Sequence, residues 1–229
     1  MINSNLAAEP LIHCIKISGA KVLIADIDGP SQERIRGSEE KLRNDLGINI
    51  IPLTDQLKTE ITSFPTNRPA DALRAESSGK MPLALIYTSG TTGLPKAFPF
   101  NIDKTYATAV LAPYMLGTQK GDRWYVSMPF YHGTGGVSAL VQLSAGTAVA
   151  IGRKFSLRQF WKDVRDSEAT AFVYVGETAR YLLSAPPSAD DKNHKVRLAY
   201  GNGMRPDVWP KFQERFGRRY CYVTGRLLT

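Results

Sequence analysis

The sequence predicts an α/β fold, with mostly parallel sheets flanked by helices, and three observations predict it. Short apolar runs rich in Val, Ile, Tyr and Ala alternate along the chain with longer stretches of helical pattern. A hydrophobic share of 43% against 22% charged over 229 residues is an ordinary globular balance, enough for one large or two small cores. A run of glycines and hydroxyls stands directly behind one of the apolar strands, where open α/β sheets receive ligands.

The elements follow in chain order. An apolar, helix-like segment opens the chain at 11–17. Val22-Leu23-Ile24-Ala25 is a first strand and 48–53 a second, with a helix at 32–46 between them. The segment 62–80 holds Pro65, Pro69, Gly79 and scattered charges without apolar periodicity, so it reads as a surface connection. A strand at 83–87 leads into the glycine-rich run. Beyond it, helices at 104–116, 137–143, 157–167, 177–183 and 207–216 are interleaved with strands at 124–128, 147–151, 170–175 and 196–200. The sequence has no internal repeat and no low-complexity tract.

The run Tyr87-Thr88-Ser89-Gly90-Thr91-Thr92-Gly93-Leu94-Pro95-Lys96 has the chemistry of a phosphate cradle. Glycines let backbone N–H groups come close to a polyanion, and four hydroxyls and an ammonium supply further donors. The order differs from the P-loop G-x-x-x-x-G-K-[ST], because Lys96 follows Gly93 by three residues and no Ser or Thr follows the lysine. A nucleoside triphosphate is the expected guest, held by a loop of another class.

At these residues the sequence resembles the adenylate-forming (AMP-binding) superfamily, which includes acyl-CoA synthetases, luciferases and the adenylation domains of peptide synthetases. A narrower resemblance is to the very-long-chain acyl-CoA synthetases, also called fatty acid transport proteins. It rests on Pro10-Leu11-Ile12-His13-Cys14 with Ser18-Gly19-Ala20-Lys21, on Met128-Pro129-Phe130-Tyr131-His132, on Tyr174-Val175-Gly176-Glu177 with Arg180-Tyr181-Leu182, and on the segment from His194 to Arg205. Together these run in the family's order through about residue 217. The resemblance implies a partial large N-terminal domain of the adenylate-forming fold: one incomplete AMP-binding domain over 1–229, with 62–80 as surface connection, 87–96 as phosphate loop and 218–229 as a divergent tail.

The same resemblance implies an upstream portion and, after 217, an aromatic-Gly/Ala-x-Thr-Glu loop whose glutamate helps to hold magnesium. Here 218–229 contains no acidic residue. That glutamate, the ribose-binding aspartate and the small C-terminal lid domain with its lysine are therefore expected to be absent from this sequence, and no metal ligand is assigned in it. The chemistry implied is attack of a carboxylate on the α-phosphorus of ATP, loss of pyrophosphate, and capture of the acyl-adenylate by coenzyme A, with Mg2+ present. Thr88, Ser89, Gly90, Thr91, Thr92, Gly93 and Lys96 match the phosphate-binding requirement, and Lys96 acts as a point charge on the leaving phosphates.

Two other strand ends carry candidate residues. His132 precedes the flexible Gly133-Thr134-Gly135-Gly136, and the resemblance implies that it lies near the acyl carboxylate, where an imidazole orients or hydrogen-bonds such a group. A packed strand-end histidine beside Phe130 and Tyr131 is the plainer alternative. Gly201-Asn202-Gly203 follows a strand; alone it is a generic tight turn, and the resemblance implies contact with adenine there. Glu177, at a helix start, is explained by the helix dipole.

Composition limits the other classes. Of the net charge of +8, a net +6 lies within 195–229, where eight basic residues face two acidic ones. No basic helix with interleaved aromatics accompanies it, which argues against nucleic acid as a partner. Cys14 and Cys221 form neither a disulfide framework nor a metal-ligand pattern, as in a reducing compartment. No apolar run is long enough to span a membrane and the N-terminal residues lack signal-peptide character, so an intracellular location is expected. Peroxisome, endoplasmic reticulum and cytoplasm are not distinguished, and peripheral membrane association is left to segments outside this stretch. Two functional readings stay open: an acyl-CoA synthetase acting on ATP and a carboxylic, fatty-type acid, or a truncated, catalytically inactive remnant that binds nucleotide.

Overall fold

The computed structural model describes residues 1–88 and 93–217. They fall into two compact units, Met1–Asn101 and a second that begins at Ile102.

The first unit opens with α1 (Ala8–Ser18), which buries Leu11, Cys14 and Ile15 at helical spacing and ends at Gly19, whose φ of +66° provides the left-handed stop. β1 (Val22–Ala25) pairs in parallel with β2 (Asn49–Pro52). Between them, Asp28 caps α2 (Gly29–Arg36) by accepting from Ser31 N–H at 2.7 Å. A single helix was expected over 32–46. The chain instead leaves the helix at Gly37 and re-coils in a π-type turn at Lys41–Asp45, which turns Leu42 into the core. Leu11, Ile15, Leu42 and Ile48 form that core.

Two elements were not anticipated. α3 (Asp55–Ser63), capped by the Thr54 hydroxyl at 3.1 Å from Leu57 N–H, buries no residue, so it carries little apolar signal. β3 (Pro82–Thr88) is followed by β4 (Lys96–Asn101) in an antiparallel hairpin. Pro99 sits within β4, and a proline inside a short run reads as a breaker although the outward side of a two-stranded ribbon tolerates it.

The second unit is doubly wound. α4 (Ile102–Leu116) precedes β5 (Arg123–Val126), α5 (Ser138–Ser144), β6 (Ala148–Ile151), α6 (Phe160–Asp166), β7 (Ala171–Val175), α7 (Gly176–Ser184), β8 (Leu198–Asn202) and α8 (Val208–Phe216). Its four strands are parallel in the order β6-β5-β7-β8. Side chains alternate across this sheet with period two. Trp124, Val126, Ala171, Val173 and Leu198 pack with α4 and α5 on one face. Tyr125, Phe172, Tyr174 and Ala199 pack with α6, α7 and α8 on the other. Crossovers that run in opposite directions along a parallel sheet must lie on opposite faces if both are right-handed, and α5 and α7 do so.

A polar clasp fixes the N-terminal edge of this sheet. Asp122, 4% exposed, accepts from Gln119 N–H at 2.6 Å, from the Thr170 hydroxyl at 2.7 Å and from the Arg197 guanidinium. Arg197 also donates to the Gly117 carbonyl at 3.0 Å. These residues stand just before β5, β7 and β8, so one buried carboxylate sets the mutual register of three strands. The opposite, C-terminal edge carries the loops.

Candidate functional site

At the C-terminal edge, β5 and β7 are neighbours, yet the chain leaves them in opposite directions, β5 toward β6 and β7 toward β8. Loops that diverge from adjacent strands leave a crevice between them, the usual ligand position of an open α/β sheet. The loop from β5 carries His132, and the end of β8 carries Gly201, Asn202 and Gly203. The second unit thus brings these four predicted residues to one sheet edge.

His132 is exposed and organises its own loop. Its N–H donates to the Pro129 carbonyl at 3.0 Å, and its carbonyl accepts from Gly135 and Gly136 N–H at 3.0 and 2.9 Å. Thr134 N–H donates to Nδ1 at 3.2 Å, capping the π-type turn Gly133–Val137. An Nδ1 that accepts a hydrogen bond leaves the proton of the neutral ring on Nε2, so the ring presents a donor outward. Gly135 allows this path. A Cβ there would stand 2.2 Å from the Pro129 carbonyl oxygen.

Gly201 and Asn202 are the last residues of β8, paired with Tyr174 and Val175, and Gly203 turns the chain with φ of +71°. Gly201 lies so close to β7 that a Cβ would meet the Tyr174 carbonyl oxygen at 2.0 Å, and at Gly176 it would meet the Gly203 carbonyl oxygen at 1.8 Å. The adjoining strand ends are packed backbone to backbone, with Gly201 buried between them and Asn202 and Gly203 exposed at the edge. Glu177 pairs with Arg180 on the α7 surface. Gly135 and Gly176 lie in the run 133–136 and the segment 174–177 quoted above, but no role was assigned to either; each avoids a backbone carbonyl.

The remaining predicted residues lie on the first unit. Thr88 and Lys96 are partners at the end of the β3–β4 ladder, both exposed, and Gly93 has φ of +93°. Ser89, Gly90, Thr91 and Thr92 lie outside the described residues. On this unit the hydroxyl of Thr88 and the ammonium of Lys96 are donors that suit anionic oxygens.

A family model described as AMP-binding enzyme matches residues 1–225. The chain belongs to the AMP-binding enzyme family. Among relatives in this family, it is 40% identical over 220 residues to isopenicillin N epimerase component 1 of Hapsidospora chrysogena, covering 95% of this chain and 30% of that protein. It is 41% identical over 220 residues to a very long-chain fatty acid transport protein of Cochliobolus heterostrophus, covering 94% and 33%. The chain therefore spans about a third of the length of these relatives.

Among solved structures, the inhibitor-bound N-terminal domain of FACL13 from Mycobacterium tuberculosis superposes with a TM-score of 0.81 at 20% identity, covering 99% of this chain and 55% of that one. The O-succinylbenzoate coenzyme A synthetase of Bacillus subtilis, in complex with ATP and magnesium ion, follows at 0.69 and 20% identity, with 97% and 43% covered. The fold is that of the N-terminal domain of adenylate-forming enzymes, and the expected α/β class with parallel sheet and flanking helices holds.

Proposed function

We propose that this chain supplies ATP-binding and carboxylate-orienting parts of an acid-activating ligase. In the reaction proposed, a carboxylate oxygen of a fatty-type acid bonds to the α-phosphorus of ATP as the bond from that phosphorus to its bridging oxygen breaks. Pyrophosphate leaves with the electron pair. The acyl-adenylate then passes its acyl group to the thiol of coenzyme A, the thiol proton is lost, and AMP leaves.

The observation that carries this reading is the outward Nε2–H of His132 at the switch-point edge, with Nδ1 already engaged by Thr134 N–H. A ring held in this tautomer donates to a carboxylate and fixes its direction without removing a proton. The strand end Gly201-Asn202-Gly203, exposed at Asn202 and Gly203, is proposed to receive the purine. Thr88, Gly93 and Lys96, with Ser89, Gly90, Thr91 and Thr92, are proposed to hold the outer phosphates, where Lys96 offsets charge on the departing pyrophosphate. Magnesium is implied with ATP. Among the described residues no three His, Cys, Asp or Glu side chains gather to hold a metal.

Carboxylate-dependent ATP–pyrophosphate exchange, with medium to very long fatty acids, tests the reading. Exchange supports adenylation by this chain, and the acid that gives it names the substrate class. ATP binding without exchange from folded protein replaces the ligase reading with that of a nucleotide-binding module.

A further inference from the structure

Both shoulders of the 88–96 loop are tied to one turn of one helix. On the β3 side, the Tyr87 hydroxyl donates to the Cys14 carbonyl at 2.8 Å. On the β4 side, His13 Nε2 lies 2.9 Å from the carbonyl of Pro95, the residue before Lys96. A carbonyl only accepts, so Nε2 carries the proton. The two anchors are consecutive residues of α1, and α1 is itself fixed by Leu11 and Ile15, which are buried with Leu42 and Ile48.

The ladder alone does not hold the loop this firmly. The terminal pair Thr88 and Lys96 fixes the two strand ends to each other but leaves them, as a pair, the freedom to move against the rest of the unit. Bonds to a third, core-anchored element, one on each shoulder, remove that freedom. A loop that must set several donors on a polyanion loses less disorder on binding when its ends are already fixed.

We infer that His13 and Tyr87 are positioning residues that clamp the phosphate loop to α1 and thereby set the direction of Thr88 and Lys96. The inference rests on the phosphate-binding reading above and adds two residues that touch no ligand themselves.

The test is the dissociation constant of ATP with magnesium, and separately of inorganic pyrophosphate, measured by calorimetry on the full chain. The melting temperature without ligand is recorded alongside. His13→Leu and Tyr87→Phe are each expected to weaken both ligands about three- to tenfold. His13→Gln, whose amide nitrogen reaches the place of Nε2, is expected to restore most of the affinity. Variants that melt earlier yet bind ATP and pyrophosphate as tightly as the parent would show a structural role alone and overturn the inference. A parent chain that binds neither probe removes the phosphate-binding reading, and the clamp's role with it. If His13→Leu does not fold, Tyr87→Phe, which lacks one oxygen, decides by the same comparison.

Discussion

A Cβ built on Gly176 falls 1.8 Å from the carbonyl oxygen of Gly203 and 2.5 Å from its carbon, and neither can move without parting the ends of β7 and β8. Gly176→Ala is therefore expected to lose about 2–4 kcal/mol of unfolding free energy in urea titration. Gly117→Ala is the control. Gly117 has φ of +67° with nothing within 4 Å of an added Cβ, so only backbone strain is at stake, about 1–2 kcal/mol. At His132 the expected effect is on chemistry. Removing a lone oriented donor by His132→Ala should lower any exchange rate about ten- to a hundredfold, and the loss of the Thr134 cap should lower stability by only about 1 kcal/mol. His132 and Gly201–Gly203 were legible in the sequence because each follows a recognisable apolar strand. Gly135 and Gly176 were not, because what they avoid is a carbonyl elsewhere in the fold, and adjacent residues carry no trace of it.

Among the elements, α8 shows how one helix is latched and what would release it. Arg215 donates to Asp191 at 2.7 Å and to the carbonyls of Leu183, Ala185 and Pro186 at 2.9, 2.7 and 2.7 Å, joining α8 to the end of α7. His194 lies flat on Trp161, with ring centroids 4.6 Å apart, while its Nδ1 accepts from Val196 N–H at 3.2 Å and its Nε2 donates to the Phe216 carbonyl at 3.1 Å. Burial pushes the imidazole below its ordinary value of 6.5 and the charge of Arg165 adds to this, although the Phe216 bond acts the other way. The unfolded chain thus binds the His194 proton more readily than the folded one. Stability from this group is present above pH 6.5 and is lost as pH falls through that value toward the lower folded one. The melting temperature should fall between about pH 7 and 5, and His194→Gln should flatten that part of the profile. Elements of this unit were readable because both faces of its sheet are covered and its strands are strongly apolar. β4 and α3 were not, since Phe98-Pro99-Phe100 interrupts a strand pattern and α3 buries nothing.

For the molecule as a whole, the two units differ in how much core each encloses. Among the described residues the first has four buried apolar residues in its cluster, whereas the second covers its sheet on both faces with Trp124, Phe160, Phe172, Phe212 and their neighbours. Amide exchange should accordingly be slowest in β5 and β7 and fastest in the exposed segment 62–81. The same unevenness makes ligand binding visible. A ligand that binds only the folded state at a hundred times its dissociation constant adds about 2.7 kcal/mol. In a chain of this size that raises the melting temperature by about 5–10 °C. If the 88–96 loop holds the phosphates, ATP with magnesium should produce such a shift and also slow exchange in β3 and β4, whose last pair flanks the loop. Replacing Lys96 and Thr92 together by Ala removes an ammonium and a hydroxyl from the donor set, and the shift should shrink by half or more, since hydrogen bonds to charged groups contribute about 1.5–3 kcal/mol. A full shift in that double variant would move the phosphates to another part of the chain, and the slowed amides would then report where.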